Sequence, residues 1–150
     1  MAKNTIKLKN YDDVVEEFLS TAAAITPGDL VEMTSGGLIQ RHSSAGKDAL
    51  PAMFATEDEL QGNGIDTDYA NSSRVQVWIA QRGDQVNAWL LDGENVAIGD
   101  PLTSGGAGKL QKHVANSGID VSNAIVGVAL EAVNLAGGAT ANARIKVRIV

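Results

Sequence analysis

The chain has two imidazoles, His42 and His113. A metal site built on either would need further ligands at short spacing. None is evident, and solvent-facing strand positions account for both. Thr103-Ser-Gly-Gly-Ala-Gly-Lys109 has the composition of a phosphate-cradling loop. However, the first glycine of that pattern falls on Thr103, and the hydroxyl expected after Lys109 is replaced by Leu110. The segment is expected to be a hairpin turn. Two acidic clusters, Asp12, Asp13, Glu16 and Glu17, then Glu57, Asp58 and Glu59, offer oxygen ligands but lack calcium-loop spacing. General acid and base work also needs carboxylates in contrasting environments, which runs of neighbouring acids rarely supply. No serine sits in a Gly-x-Ser-x-Gly elbow, and the absence of Cys removes thiolate chemistry and disulfides. Arg82-Gly83-Asp84 has the letters of an adhesion tripeptide, but a turn between two strands explains it. These residues point to a protein that is not an enzyme and holds no cofactor or metal.

The elements that carry these residues are expected to be strands. At 150 residues the chain is one domain, or two very small ones. Its apolar share is 44%, yet only 4% is aromatic, so the core must be built from small and β-branched side chains. The net charge of -6 and pI near 4.8 argue against a nucleic-acid partner. No apolar run is long enough to span a bilayer, and the first ten residues lack a signal-peptide core. The sequence therefore leads to the expectation of no membrane partner and of a protein that stays in the compartment where it is made.

The sequence also reads as two copies of one unit. A shift of 71 places Gly28-Asp29 on Gly99-Asp100, Ile39-Gln-Arg-His42 on Leu110-Gln-Lys-His113, and Phe18-Leu19 on Trp89-Leu90. A shift of 70 places Arg74-Val-Gln-Val-Trp-Ile79 on Arg144-Ile-Lys-Val-Arg-Ile149. Ala52-Met-Phe-Ala-Thr-Glu57 matches Val126-Gly-Val-Ala-Leu-Glu131. The units run approximately 11–79 and 82–150, which together form a body over residues 11–150. Period-two alternation marks 74–79 and 144–149 as strands. Residues 30–41 and 101–113 read as paired hairpins. Residues 11–19 fit either a helix or a strand; the repeat favours a strand. Residues 57–71 are polar and read as a long exposed loop.

Residues 1–10 carry Lys3, Lys7 and Lys9 with Ile6 and Leu8, and no acid. They are either a frayed terminus or an N-terminal arm that orders on a partner, pairing with a sheet edge while Ile6 fills a pocket. On the arm reading, removal of residues 1–10 weakens partner binding without unfolding the body. Trp78 points opposite to Val75, Val77 and Ile79 in its strand. It is therefore either an exposed interface residue or is covered by a second sheet or the long loop. Trp78, Trp89, Glu57, Asp58 and Glu59 are candidates for an oligomer or partner interface.

The capsid enters through a resemblance. Ile25-Thr-Pro-Gly-Asp-Leu-Val31, His42-Ser-Ser-Ala-Gly46, Pro51-Ala-Met-Phe-Ala-Thr-Glu57, Gln76-Val-Trp-Ile-Ala-Gln-Arg-Gly-Asp-Gln-Val86, Val96-Ala-Ile-Gly-Asp-Pro-Leu102 and Ile125-Val-Gly-Val-Ala-Leu-Glu-Ala-Val133 resemble the capsid decoration, stabilising or cement proteins of tailed bacteriophages. The resemblance runs from about residue 11 to 150. It implies an all-β fold, a compact β-barrel or β-tulip-like domain, here of two similar units with an extended N-terminal arm. It further implies a homotrimer, made in the host bacterial cytoplasm, on the outer surface of the expanded head, bridging subunits of the major capsid protein against internal DNA pressure. The arm residues Lys3, Ile6, Lys7, Leu8 and Lys9 would then bind the capsid. A capsid-fibre or tail-associated adaptor is the alternative, followed by a host-surface or carbohydrate-binding β module.

Overall fold

A computed structural model describes residues 4–10, 12–115, 124–137 and 141–150. It is nearly all β. In chain order the strands are β1 (Lys7–Lys9), β2 (Val15–Leu19), β3 (Leu30–Met33), β4 (Ile39–Arg41), β5 (Met53–Ala55), β6 (Arg74–Ile79), β7 (Gln85–Leu90), β8 (Asn95–Val96), β9 (Pro101–Gly106), β10 (Lys109–Lys112), β11 (Ile125–Ala129), β12 (Val133–Asn134) and β13 (Ala143–Ile149). Among the described residues a single 3-10 turn, Glu59–Gln61, interrupts them.

Two five-stranded barrels account for most of the chain. The first has the order β2-β6-β5-β3-β4, and a parallel bridge from Ser20 to Ile39 brings its ends together. The second has the order β7-β10-β9-β11-β13, with β13 returning to pair with β7. The two share one set of pairings. Val31↔Arg41 and Met33↔Ile39 correspond to Leu102↔Lys112 and Ser104↔Leu110. Met53↔Ile79 and Ala55↔Val77 correspond to Gly127↔Ile149 and Ala129↔Val147. Val15↔Trp78 corresponds to Gln85↔Arg148, and Ser20↔Ile39 to Leu90↔Leu110. In β2 and β7 the offset is therefore 70, so Leu19, rather than Phe18, is the counterpart of Trp89. Hydrogen-bond register decides this, because a one-residue slip would turn every side chain to the opposite face.

Period-two alternation also divides the core. Val31, Met53, Ala55, Val75 and Val77 fill the first barrel with Ile25, Ile39 and Tyr69. Their sequence neighbours Leu30, Phe54 and Trp78 point the other way and join Val86, Ala88, Leu90, Leu102, Leu110, Ile145 and Val147 in a second cluster. The outer wall of one barrel is thus part of the core of the other. Trp78 does point opposite to Val75 and Val77, but it is wholly buried, which removes it as an exposed interface residue. The loop over residues 57–71 is likewise not wholly exposed, since Ile65 and Tyr69 are buried from within it. Residues 15–19 are strand.

The N-terminal segment packs on the body, in contrast to a free extended arm. β1 pairs with β7, the Asn87 N–H donates to the Ile6 carbonyl at 2.8 Å, and Ile6 is fully buried. An apolar side chain in a short basic segment lowers the free energy by taking the nearest dry slot, and that slot lies within this chain. Lys3 lies outside the described residues.

Three turns with one construction start strands. At 26–29, 81–84 and 97–100 the Asp carboxylate accepts from the N–H three residues earlier, at 2.9, 2.8 and 2.8 Å. The preceding glycine takes φ of 94, 96 and 90° respectively, a region an L side chain rarely enters. Arg82-Gly83-Asp84 is the second of these turns, and Asp84 is buried in it.

The first of these turns joins the two barrels. Asp29 is wholly buried; its Oδ1 meets Lys109 Nζ at 2.5 Å and its Oδ2 lies 3.3 Å from Arg41 Nε. Burial pushes the Asp29 carboxyl above its ordinary range, outweighing the opposing pull of Lys109, of the Thr26 N–H and of Arg41. Gly108, at φ 76°, is packed so closely on Asp29 that an added Cβ would come within 2.9 Å of its carboxylate. Backbone bonds flank the pair: Leu30 N–H to Gly108 at 2.8 Å, Gly46 N–H to Ser104 at 2.7 Å and Trp89 N–H to Gly28 at 3.2 Å.

Removing one member of such a pair strands a buried charge. Lys109→Met is expected to lower the unfolding free energy in urea by about 3 kcal/mol, and Asp29→Asn in the same chain should recover most of it. Ile6→Ala should cost about 2–4 kcal/mol, and removal of residues 1–9 at least as much. A truncated chain as stable as the intact one would contradict the packing of β1.

Candidate interaction surface

The sequence candidates separate into buried and exposed groups. Glu57 is buried and accepts from Thr5 Oγ1 at 2.5 Å and from the Ile6 N–H at 3.2 Å. The acidic cluster and the N-terminal segment, read separately as candidate contacts, are thus brought to each other. Asp58 is half-buried and Glu59 exposed, beside the exposed Leu60. Lys7 pairs with Asp13 at 2.8 Å; Leu8 and Lys9 are exposed. Trp89 is half-buried, with the Arg144 guanidinium 4.1 Å and the Lys109 ammonium 5.3 Å from its ring centre. Its indole N–H donates to the Pro27 carbonyl at 2.9 Å, so Trp89 serves the seam between the barrels. Arg144 also reaches Pro27, Ile65 and Asp66.

His42 departs from its solvent-facing expectation and is almost fully buried. Its Nδ1 lies 2.8 Å from Ser104 Oγ, while its Nε2 faces the Asp48 carbonyl at 3.0 Å and the Glu32 carboxylate at 3.6 Å. A carbonyl can only accept, so in the neutral ring Nε2 carries the hydrogen and the Ser104 hydroxyl donates to Nδ1. The order serine, imidazole, acid matches a nucleophile with its base. Ser104, however, has no exposed surface, and its Oγ also accepts from the Gly106 N–H at 3.2 Å. No carbonyl carbon can approach it in this arrangement. The pair acts as a clamp from the first barrel to the second. Sequence reading missed it because the two residues lie 62 positions apart.

Beside this clamp lies a cavity of about 400 Å³ at the mouth of the first barrel. Phe18, Val31, Met33, Leu50, Met53 and Ile79 form its apolar lining, and Glu16, Glu32 and Asp48 its acidic rim. Met33 and Leu50 are exposed there. Burial alone would raise the Glu32 carboxyl, but hydrogen bonds from Gln40 and Ser43 and the nearby His42 outweigh it and hold it below the usual range. Among the described residues no cluster of three metal-ligating side chains occurs, and no helix is long and apolar enough to cross a membrane.

In the core of the first barrel, Tyr69 donates to the Thr56 carbonyl at 2.8 Å, and burial pushes its hydroxyl up to about 12. The folded state therefore keeps this proton after the unfolded chain has lost it. Stability is expected to fall as pH rises from about 10 towards 12, and Tyr69→Phe should flatten that part of the profile in thermal unfolding.

No family model matches the chain, and no curated protein matches it. The fold is similar to a solved structure, the N base of the head fibre gp8.5 of bacteriophage phi29. The TM-score is 0.54 at 13% sequence identity, and the match covers 91% of this chain and 95% of the other.

Proposed function

We propose that the chain is a structural protein of a bacteriophage head, carried on the outside of the capsid. The observation that supports this is the likeness of nearly the whole fold to a head-fibre base, which extends across both barrels rather than one. The surface is consistent with it: an acidic body and an apolar mouth suit contact with protein rather than with packaged DNA.

In this reading the protein binds the expanded lattice and bridges neighbouring major capsid protein subunits as a decoration or cement protein, in trimeric form. A ligand that binds only the expanded shell stabilises that shell by mass action. Repetition over the lattice multiplies a modest contact. The fold likeness equally favours a second reading, a base that seats a fibre on the head.

Purified protein mixed with heads before and after expansion tests this. Co-sedimentation with expanded heads, and a higher temperature of DNA release, are expected. Absence of binding to either form overturns the head reading. Density confined to fibres or to one vertex in electron micrographs favours the base over the cement protein. Native mass measurement checks the trimer.

A further inference from the structure

The two barrels share their pairings but differ at one edge. In β7 the backbone N–H groups of Val86, Ala88 and Leu90 face β13, and those of Asn87 and Trp89 face outward. The outward groups are used: Asn87 donates to Ile6, Trp89 to Gly28, and Lys7–Lys9 pairs alongside. The equivalent outward groups of β2, at an offset of 70, belong to Glu17 and Leu19. Parity confirms their direction, since Ile79 N–H donates to Val14 and Ser20 N–H to Ser73, which sends the even residues of β2 towards β6. Among the described residues, beyond Glu17 and Leu19 the edge meets β4 only at the Ser20–Ile39 bridge, and β2 pairs with no strand but β6. Among the described residues the first barrel thus lacks the strand that the second barrel takes from the N-terminal segment.

The apolar cavity opens beside this edge, with Glu16 and Phe18 of β2 in its wall. Glu16 and Asp48 on its rim have no ion-pair partner among the described residues. We propose that the free edge of β2 and the adjoining cavity receive an extended segment of a partner protein in which an aliphatic side chain is flanked by Lys or Arg. The model for it is in the chain itself, where Ile6 followed by Lys7 and Lys9 fills the matching place on β7. Strand addition supplies the main-chain bonds, and the cavity supplies the side-chain preference. Charge selects the occupant. A second copy's β2 would set Glu16 and Glu17 against their own images, whereas a basic segment meets opposite charge. A second copy's N-terminal segment is already committed to its own β7.

The probe is a labelled synthetic peptide of residues 3–10, Lys-Asn-Thr-Ile-Lys-Leu-Lys-Asn, titrated into the full chain and followed by fluorescence anisotropy, with amide shifts to locate it. Saturable binding that shifts the Glu17 and Leu19 amides is expected. Glu17→Pro removes the outward N–H and the Glu17 side-chain bonds to Arg74 and Gln76 while leaving the backbone bonds to β6, and should weaken binding at least tenfold. Glu16→Lys with Asp48→Lys, which leaves the backbone intact, should do the same and decides the matter if the proline variant fails to fold. Unchanged affinity in the charge-reversed variant overturns the proposal, as do amide shifts confined to Asn87 and Trp89, which would mark exchange with β1. Self-association of the unliganded protein that Glu17→Pro abolishes would assign the edge to a second copy and equally overturn it. The titration uses no heads, so its failure leaves the proposed head attachment untouched, and failure of head binding leaves this edge standing.

Discussion

A buried carboxylate holds the arrangement of the two barrels. Asp29 is wholly buried, and the second barrel delivers Lys109 to its Oδ1 while Arg41 of the first barrel lies at its Oδ2. Gly108 comes close enough to put Lys109 on Oδ1, and a side chain at 108 would collide with the carboxylate. Around this point the Leu30–Gly108, Gly46–Ser104 and Trp89–Gly28 bonds and the Ser104–His42 contact fix the relative positions of the barrels. A buried pair of this kind adds little net stability over an apolar isostere, but it penalises every other docking of the barrels. The apolar cluster of Phe54, Trp78, Val86 and Ile145 supplies the adhesion, and the ion pair selects the register.

Features that depend on neighbouring residues were legible in the sequence. Alternation marked β6 and β13, and Gly-Asp marked the turns before β3 and β9, because a carboxylate three residues from its donor and a glycine at positive φ form a local unit. The one-residue slip between Phe18 and Leu19 as counterpart of Trp89 was not legible, since side-chain similarity cannot see the hydrogen-bond parity that decides it. Trp78 shows the same limit. Its direction followed from the alternation, but what covers that face is a different part of the chain. Lys109 and His42 were read as turn and surface residues because their partners, Asp29 and Ser104, are distant in sequence.

The acidic and basic segments illustrate how local charge misleads. Residues 1–10 and the cluster at 57–59 looked like two outward-facing contacts of opposite sign. Their opposite signs are satisfied in part internally, through Thr5, Ile6 and Glu57. The edge of β2 at Glu17 and Leu19, beside the mouth of the first barrel, has no counterpart of β1 among the described residues. Two barrels with one plan thus differ at one edge, which β1 covers on β7 and no described strand covers on β2.

The threading of β7 has a further consequence for how the chain comes to be folded. One of its edges waits for β13, which follows every other strand of its barrel, and the other is covered by β1, which precedes the whole first barrel. Pairings this distant are assembled against a large loop-closure entropy, placing the chain among slowly folding topologies. During synthesis the first barrel can close while the second is still incomplete, and β7 emerges with an edge bare until β13 arrives. For that interval the nascent chain is an open sheet, and its exposure to wrong pairing with other chains depends on how soon the second barrel is completed.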